Sequence, residues 1–493
     1  MTKQNLFAAL LWATLAAPAP GETKVEYLAV FMGGKKVGHA KQTRKVEGAK
    51  VTTTDEMTLT ISRMGSTMTI RTVEGAVETA AGRPLSFRSV QDMGIMAQTM
   101  EGTIRDDGKV EVTIAVGQTK RKAVVPWPKG ALLPEGMRLL SRKMGLKQGT
   151  TYKASVFSPA LQQAMAVKVT VGPKVDVVVG PKSDADPLGG VMRLTEVQMV
   201  MSSPMGAITT TSYVNDEFDA LKTVVPAMGM KLELVACSKA FALSKSETLE
   251  LFDKVVVASP RPLAGARKAR SIAYEIESTR PKAKLEFLAS PSQTISTRPG
   301  RALTVTVSPA AAPKGAAMPY RGSDAAANKA LKPTRFLSSD ANAVAGLAKT
   351  AVGDATDAAD AARRIEAYVG KYIRTKNLSV GYATALEVAK TRQGDCTEHA
   401  VLAAAMCRAA GIPAQVVTGL AYVKQLGAKR DVFVPHAWFR AFVGGTWVDY
   451  DAALGGFDAG HVAFIAGDGE PSEFFGVLGT LGNFRITKVT VKR

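Results

Sequence analysis

A thiol, an imidazole and a carboxylate can together carry out acyl transfer, and this chain offers the three at Cys396, His436 and Asp451. The thiolate is the nucleophile, the imidazole moves its proton, and the carboxylate fixes the imidazole ring. Cys396 follows Gly394-Asp395 and opens a helix-like stretch rich in alanine, including Ala400, Ala403, Ala404 and Ala405. In the first turn of a helix the backbone N–H groups lack partners and the dipole is positive, so both favour a thiolate. The same N–H groups can hold the oxyanion formed on an attacked carbonyl. Small side chains along such a helix allow close packing on a sheet, which can bring a strand-borne histidine to the helix N-terminus.

His436 lies in a strand-like run from Val434 to Val443. Gly444-Gly445 signals a tight hairpin turn, and Thr446 to Asp451 returns. A two-residue turn sets Val443 against Thr446. His436, Trp438, Arg440 and Phe442 then share a face with Trp447, Asp449 and Asp451. The other face carries Ala437, Phe439, Ala441, Val443, Val448 and Tyr450 and reads as core. Two aspartates therefore reach the chemical face. Asp449 falls opposite Arg440, where an exposed cross-strand ion pair explains it. Asp451 falls opposite Trp438 and diagonal to His436, with Cβ atoms roughly 7–8 Å apart, a gap two polar side chains can close.

Other candidates are weighed against these. His399, one turn after Cys396, suggests a Cys-x-x-His metal pair, but no second pair has zinc-site spacing. Cys407 is eleven residues beyond Cys396, about 16 Å along a helix, too far for a disulfide. Cys407 and Cys237 read as structural thiols. Gln393 could donate to an oxyanion, but a loop-surface role fits it better. His39 and His461 have no evident partners and read as surface or structural residues. No metal and no cofactor is expected.

The stretch from Ala383 to Gly419 (ATALEVAKTRQGDCTEHAVLAAAMCRAAGIPAQVVTG), with Pro435-His-Ala-Trp438 and Trp447-Val-Asp-Tyr-Asp451, resembles the core motif of transglutaminase-like enzymes. The resemblance implies a papain-like α+β core over residues 325–475. It implies Cys396 as nucleophile, His436 as base and Asp451 as the third member, and its spacing agrees with the diagonal argument. Ala452 departs from the family, which usually has proline there. The family holds crosslinkers, peptidases, deamidases and members without activity. Thioacyl-enzyme chemistry is common to the active ones, and no acidic cluster here suggests the calcium sites of animal crosslinkers.

Elements that could position these residues follow from periodicity. Ser339-Asp340 can cap a helix bearing Val344 and Leu347, and a second helix begins near Asp357. Thr384 to Glu387 is a capping-box pattern, and the helix opened by Cys396 runs to Ala410, with Gly411 past its end. Strands follow at 415–423, 434–443 and 446–451. Upstream, residues 22–240 show β-branched runs of period two separated by turn signals, expected as a mainly antiparallel sheet, curved or closed into a half-barrel. Residues 241–322 read as a β-rich extension and linker, with a short helix near Ser246–Phe252, and 476–493 as a terminal strand or tail.

Composition places the chain among ordinary globular proteins: 493 residues, 46% hydrophobic and 22% charged, so several domains with buried cores are expected. The formal charge of +20 suits attraction to anionic cell-envelope polymers. Basic residues form no long block and are not interleaved with aromatics, so nucleic acid is not an expected partner. Lys3 followed by the apolar run Leu6 to Ala17 and small residues reads as a signal peptide over residues 1–20. No later segment is long and apolar enough to span a bilayer. The expected protein is exported, periplasmic or extracellular, and acts on amide bonds of a peptide or protein substrate. Hydrolysis is favoured over crosslinking. The alternative is a catalytically silent binding or assembly module of the cell envelope.

Overall fold

Alternation of side chains drives the first half of the chain into strands. Along Lys35–Glu47, for example, Ala40, Gln42, Arg44 and Val46 are buried, with more exposed residues between them. The computed structural model describes Gly21 and residues 23–493, apart from 64–65, 93–96, 117–118, 160–162, 181–188, 204–205, 228–229, 251–255, 280–284, 298–302, 376–382, 471–472, 474–476 and 478–480. Residues 1–20, expected as a signal peptide, thus lie outside the described residues. Two compact units divide the chain after Glu250.

The N-terminal unit is built on one 16-stranded sheet. Its first strand, Thr23–Met32, pairs with Met230–Cys237 near the end of the unit, and antiparallel hairpins fan out on both sides. Phe87, Met100, Leu133 and Phe157 form part of its core, with Trp127 against them. The helix Pro134–Met144 starts where Glu78, fully buried, accepts the N–H groups of Glu135 and Gly136 at 2.6 and 2.9 Å. Glu135 in turn binds Arg44 and Arg138. Burial works to raise its pKa, but the two guanidinium groups outweigh that and pull it down to about 2. Of the short helix expected near 246–252, residues 246–248 have no regular structure and 251–252 lie outside the described residues. Ser238 caps a helix over Lys239–Leu243 instead, accepting the Phe241 N–H at 3.1 Å, and Leu249–Glu250 is a strand beside Lys50–Arg63.

The C-terminal unit contains four helices around the Cys396 region: α1 (Asn342–Val352), α2 (Ala358–Tyr372), α3 (Ala385–Thr391) and α4 (Cys396–Ala409). Asp357 caps α2, and Thr384 with Glu387 forms the expected capping box on α3. The cap expected at Ser339–Asp340 is not used, because residues 337–341 turn on their own backbone and Ala341 stands at the start of α1. Strands β1 (Ala414–Leu426), β2 (Lys429–Val443), β3 (Thr446–Tyr450) and β4 (His461–Gly467) follow. They form a sheet in the order β3-β2-β1-β4, with Val257–Ala258 also paired to β2. A second small sheet joins Ser271–Ser278, Gln293–Ser296, Leu303–Val307 and Phe484–Lys492.

Helix α4 is buried from Thr397 to Arg408 and packs on β1 and β2. Its alanines let the backbone approach Ala437, Phe439 and Ala441 of β2 within one apolar core. The mainly antiparallel β region followed by an α+β core agrees with the sequence. Among the described residues no helix is long and apolar enough to cross a membrane.

Candidate active site

Cys396 is the first residue of α4 and is partly exposed, whereas Cys407 on the same helix is buried; neither is in a disulfide. The start of α4 is fixed by reciprocal caps. Asp395 Oδ1 accepts the Thr397 N–H at 2.8 Å, and Glu398 Oε2 accepts the Asp395 N–H at 2.9 Å. The second Glu398 oxygen accepts the Ala383 N–H at 2.8 Å. Burial, reinforced by the neighbouring Asp395, pushes the Glu398 carboxyl up to about 8 against the pull of these donors. Gly394 precedes the cap at φ +151°, and a Cβ there would lie 2.2 Å from the Glu398 Cβ. Only glycine lets the chain pass this carboxyl. His399 folds back on its own helix, with Nδ1 2.6 Å from the Asp395 carbonyl. Gln393 belongs to a backbone bridge with Thr375.

The hairpin carrying His436 has the two-residue turn read from the sequence. Val443 pairs with Thr446 and Arg440 with Asp449, and Gly444 and Gly445 take φ of +55° and +84°. His436 is buried, and its Nε2 lies 2.8 Å from Asp451 Oδ2. Asp451 is wholly buried. Its other oxygen accepts the N–H groups of Ala453 and Leu454 at 2.8 and 3.1 Å, and its own N–H is bound by Glu366 at 2.7 Å. Burial alone would raise the Asp451 pKa, yet the neighbouring histidines hold it far below the ordinary range. Cys396 packs on the helical core cluster that contains Ala437, the neighbour of His436.

Two expectations are corrected. Asp449 is not an exposed ion-pair partner: it is partly buried and accepts the Trp438 indole N–H at 2.9 Å. Arg440 instead donates to Gln415 at 2.6 and 2.9 Å and lies 4.5 Å from the Trp447 ring centroid. The cross-strand position was right, but Trp438 on the same face reaches the carboxylate. His461 is likewise not a partnerless residue. It is 2% exposed, and its Nε2 lies 3.0 Å from the same Asp451 oxygen that meets His436. Its Nδ1 faces the Asp458 carbonyl at 3.1 Å and carboxylate at 3.2 Å. Burial opposes its charge, but Asp451 and Asp458 outweigh burial and raise its pKa to about 9.

The small sheet supports this arrangement. Tyr274 donates to the Ala459 carbonyl at 2.6 Å, and Gln293 grips Ala463 of β4 through both its amide atoms at 2.8 Å. Close packing of β1 completes the site. Gly419 pairs with His436, and a Cβ on it would lie 2.7 Å from the Trp438 ring. The ligand atoms of His436, Asp451 and His461 lie within 4.8 Å of one another, close enough to suggest a cation. Their 2.8 and 3.0 Å contacts are hydrogen-bond lengths. A tetrahedral zinc with bonds near 2.05 Å would hold its donors roughly 3.3 Å apart, so these groups suit shared protons better than a metal.

Comparison with known proteins places the domain in a family. Residues 345–452 match the model of the transglutaminase-like superfamily. No curated protein matches the chain. Among solved structures, a provisionally assigned cysteine protease from Cytophaga hutchinsonii is 20% identical with a TM-score of 0.29, covering 45% of this chain and 83% of that one. A β-barrel-like protein of a domain of unknown function from Brucella abortus is 11% identical with a TM-score of 0.34, covering 45% of this chain and all of that one. A provisionally assigned protease from Parabacteroides distasonis is 13% identical with a TM-score of 0.19, covering 82% of this chain and 70% of that one. Residues 345–452 thus carry a transglutaminase-like domain, of a kind typically dependent on a cysteine.

Proposed function

We propose that this transglutaminase-like domain is a thiol-dependent acyl-transfer enzyme acting on amide bonds of a peptide or protein, with Cys396 as nucleophile, His436 as base and Asp451 as orienter. The observation that carries this reading is the 2.8 Å contact between His436 Nε2 and Asp451 Oδ2. It commits one ring nitrogen to the carboxylate and leaves Nδ1 to exchange a proton with the thiol. His436 takes the Cys396 proton as sulfur bonds to the amide carbon, and negative charge collects on the amide oxygen near the positive end of the α4 dipole. The protonated ring then gives its proton to the leaving amine as the C–N bond breaks, leaving a thioester. Water, deprotonated by His436, adds to the thioester carbon. The Cys396 thiolate leaves, and the carboxylic acid is released.

Hydrolysis is favoured over transfer to an amine because water is the simplest acceptor. The leader-like first twenty residues support an exported protein, and the charge of +20 supports attraction to anionic envelope polymers. The test is incubation of the full chain with a peptide library, with and without added primary amine, read by mass. Hydrolysed peptides that vanish with Cys396→Ala are expected. Amine adducts in place of acids would make it a transferase, and no Cys396-dependent product in either arm would overturn the enzyme reading.

A further inference from the structure

Asp451 Oδ2 receives two imidazoles, His436 at 2.8 Å and His461 at 3.0 Å, on rings whose centroids are 5.7 Å apart. A base held by one carboxylate needs only the first. His461 is built into place as firmly as His436. Its ring lies 4.8 Å from that of Phe457 and meets the Trp438 ring edge-on at 5.2 Å, and its second nitrogen is tied to Asp458. Asp458 is itself anchored by an N–H from Gly460, accepted at 2.7 Å, with Arg267 at 3.8 Å.

We infer that His461 is a positioning residue: a second imidazole, anchored by Asp458, that donates to the Asp451 oxygen used by His436 and so divides that carboxylate's pull between two rings. This rests on the reading of His436 as the base. With Oδ1 taken by the Ala453 and Leu454 N–H groups, the two imidazoles complete the carboxylate's hydrogen bonds. The carboxylate cannot rotate away from His436. A charged His461 also offsets part of the Asp451 negative charge beside the His436 ring. Among the described residues, the charged and titratable groups facing this pair are Asp451 and Asp458 from the loops, Asp449 from β3, Glu366 from α2 behind Asp451, Arg267 beyond Asp458 and, under the proposed function, the Cys396 thiol at the start of α4.

The chain has four histidines, so ring resonances of the full-length protein can be followed by NMR and assigned by single substitutions. His461→Gln keeps an N–H donor but removes the charge. It should raise the His436 midpoint by at least about half a pH unit, roughly threefold in proton affinity. Asp458→Asn leaves both rings in place and should lower the His461 midpoint by about one unit or more. It serves as the second variant should the glutamine form fail to fold. An unchanged His436 midpoint in folded His461→Gln, or an unchanged His461 midpoint in Asp458→Asn, would overturn the inference. The same samples report iodoacetamide labelling of Cys396. A wild-type thiol no faster than a model thiol would count against the enzyme reading, while the NMR midpoints still decide the role of His461.

Discussion

The two aspartates of the hairpin differ in partner as well as in position, and that difference is what assigns them different roles under the proposed function. Asp451 meets His436 directly, whereas Asp449 accepts from the Trp438 indole. Asp451→Ala should therefore cost turnover on a cleaved library peptide by up to about ten-thousand-fold, the scale known for loss of a triad orienter. Asp449→Ala should leave turnover within about tenfold. It strands the Trp438 N–H in a buried place, so chemical denaturation should report a loss of about 1–3 kcal/mol. The opposite pattern would make Asp449 the orienter. At this scale the contact of His436 with Asp451 and the place of Cys396 at a helix start were legible because motif, alternation and hairpin spacing converge on them. His461 was not, since it follows Asp451 by a loop that no periodic rule spans. Only the short Asp458-x-x-His461 spacing hints that its ring has a carboxylate partner.

Strand and helix packing sets these contacts, and a glycine marks the tightest place. A Cβ on Gly419 would lie 2.1 Å from the Val462 carbonyl oxygen, so β1 could not keep its distance from β4. Gly419→Ala should destabilise the C-terminal unit by about 1–3 kcal/mol, as overpacking does, and should disturb the Trp438 fluorescence. An unchanged melting curve would contradict the close approach. The ionic arrangement gives a pH signature. Asp451 has a depressed pKa, so its contribution is present above the unfolded value of roughly 3.9 and is lost as pH falls through the folded one. His461 is raised to about 9, so its contribution is complete below roughly 6.5 and is lost as pH rises through about 9. Together they contribute fully between roughly pH 4 and 6.5. Between pH 6.5 and 9.5 the wild type should lose more stability than His461→Gln, and parallel losses in thermal melts would contradict this. The hairpin register and the caps of α2 and α3 were readable because each is a local rule of two to four residues. The cap of α1 and the helix near residue 240 were not, since several serines and aspartates could each have capped and tertiary turns chose among them.

Across the whole molecule, the N-terminal sheet and the α+β unit each have their own core. Strand rhythm made the sheet legible as antiparallel. Its strand order was not, because the pairing of Thr23–Met32 with Met230–Cys237 joins residues about two hundred positions apart in sequence. The small sheet that braces β4 draws strands from 271–307 and from the C-terminus, a partnership equally remote in sequence. On the proposal of an exported protein, carried by the apolar run and small residues before Gly21, export should remove the first sixteen to twenty residues. Intact mass of secreted protein checks this, and retention of Met1 to Ala16 would refute it. The central claim, that Cys396 is an activated nucleophile, is tested most directly by its alkylation. Iodoacetamide at pH 6 should label Cys396 well ahead of a model thiol, in the wild type but not in His436→Ala, while buried Cys407 stays unlabelled. Labelling of wild-type Cys396 at the model-thiol rate would contradict the account.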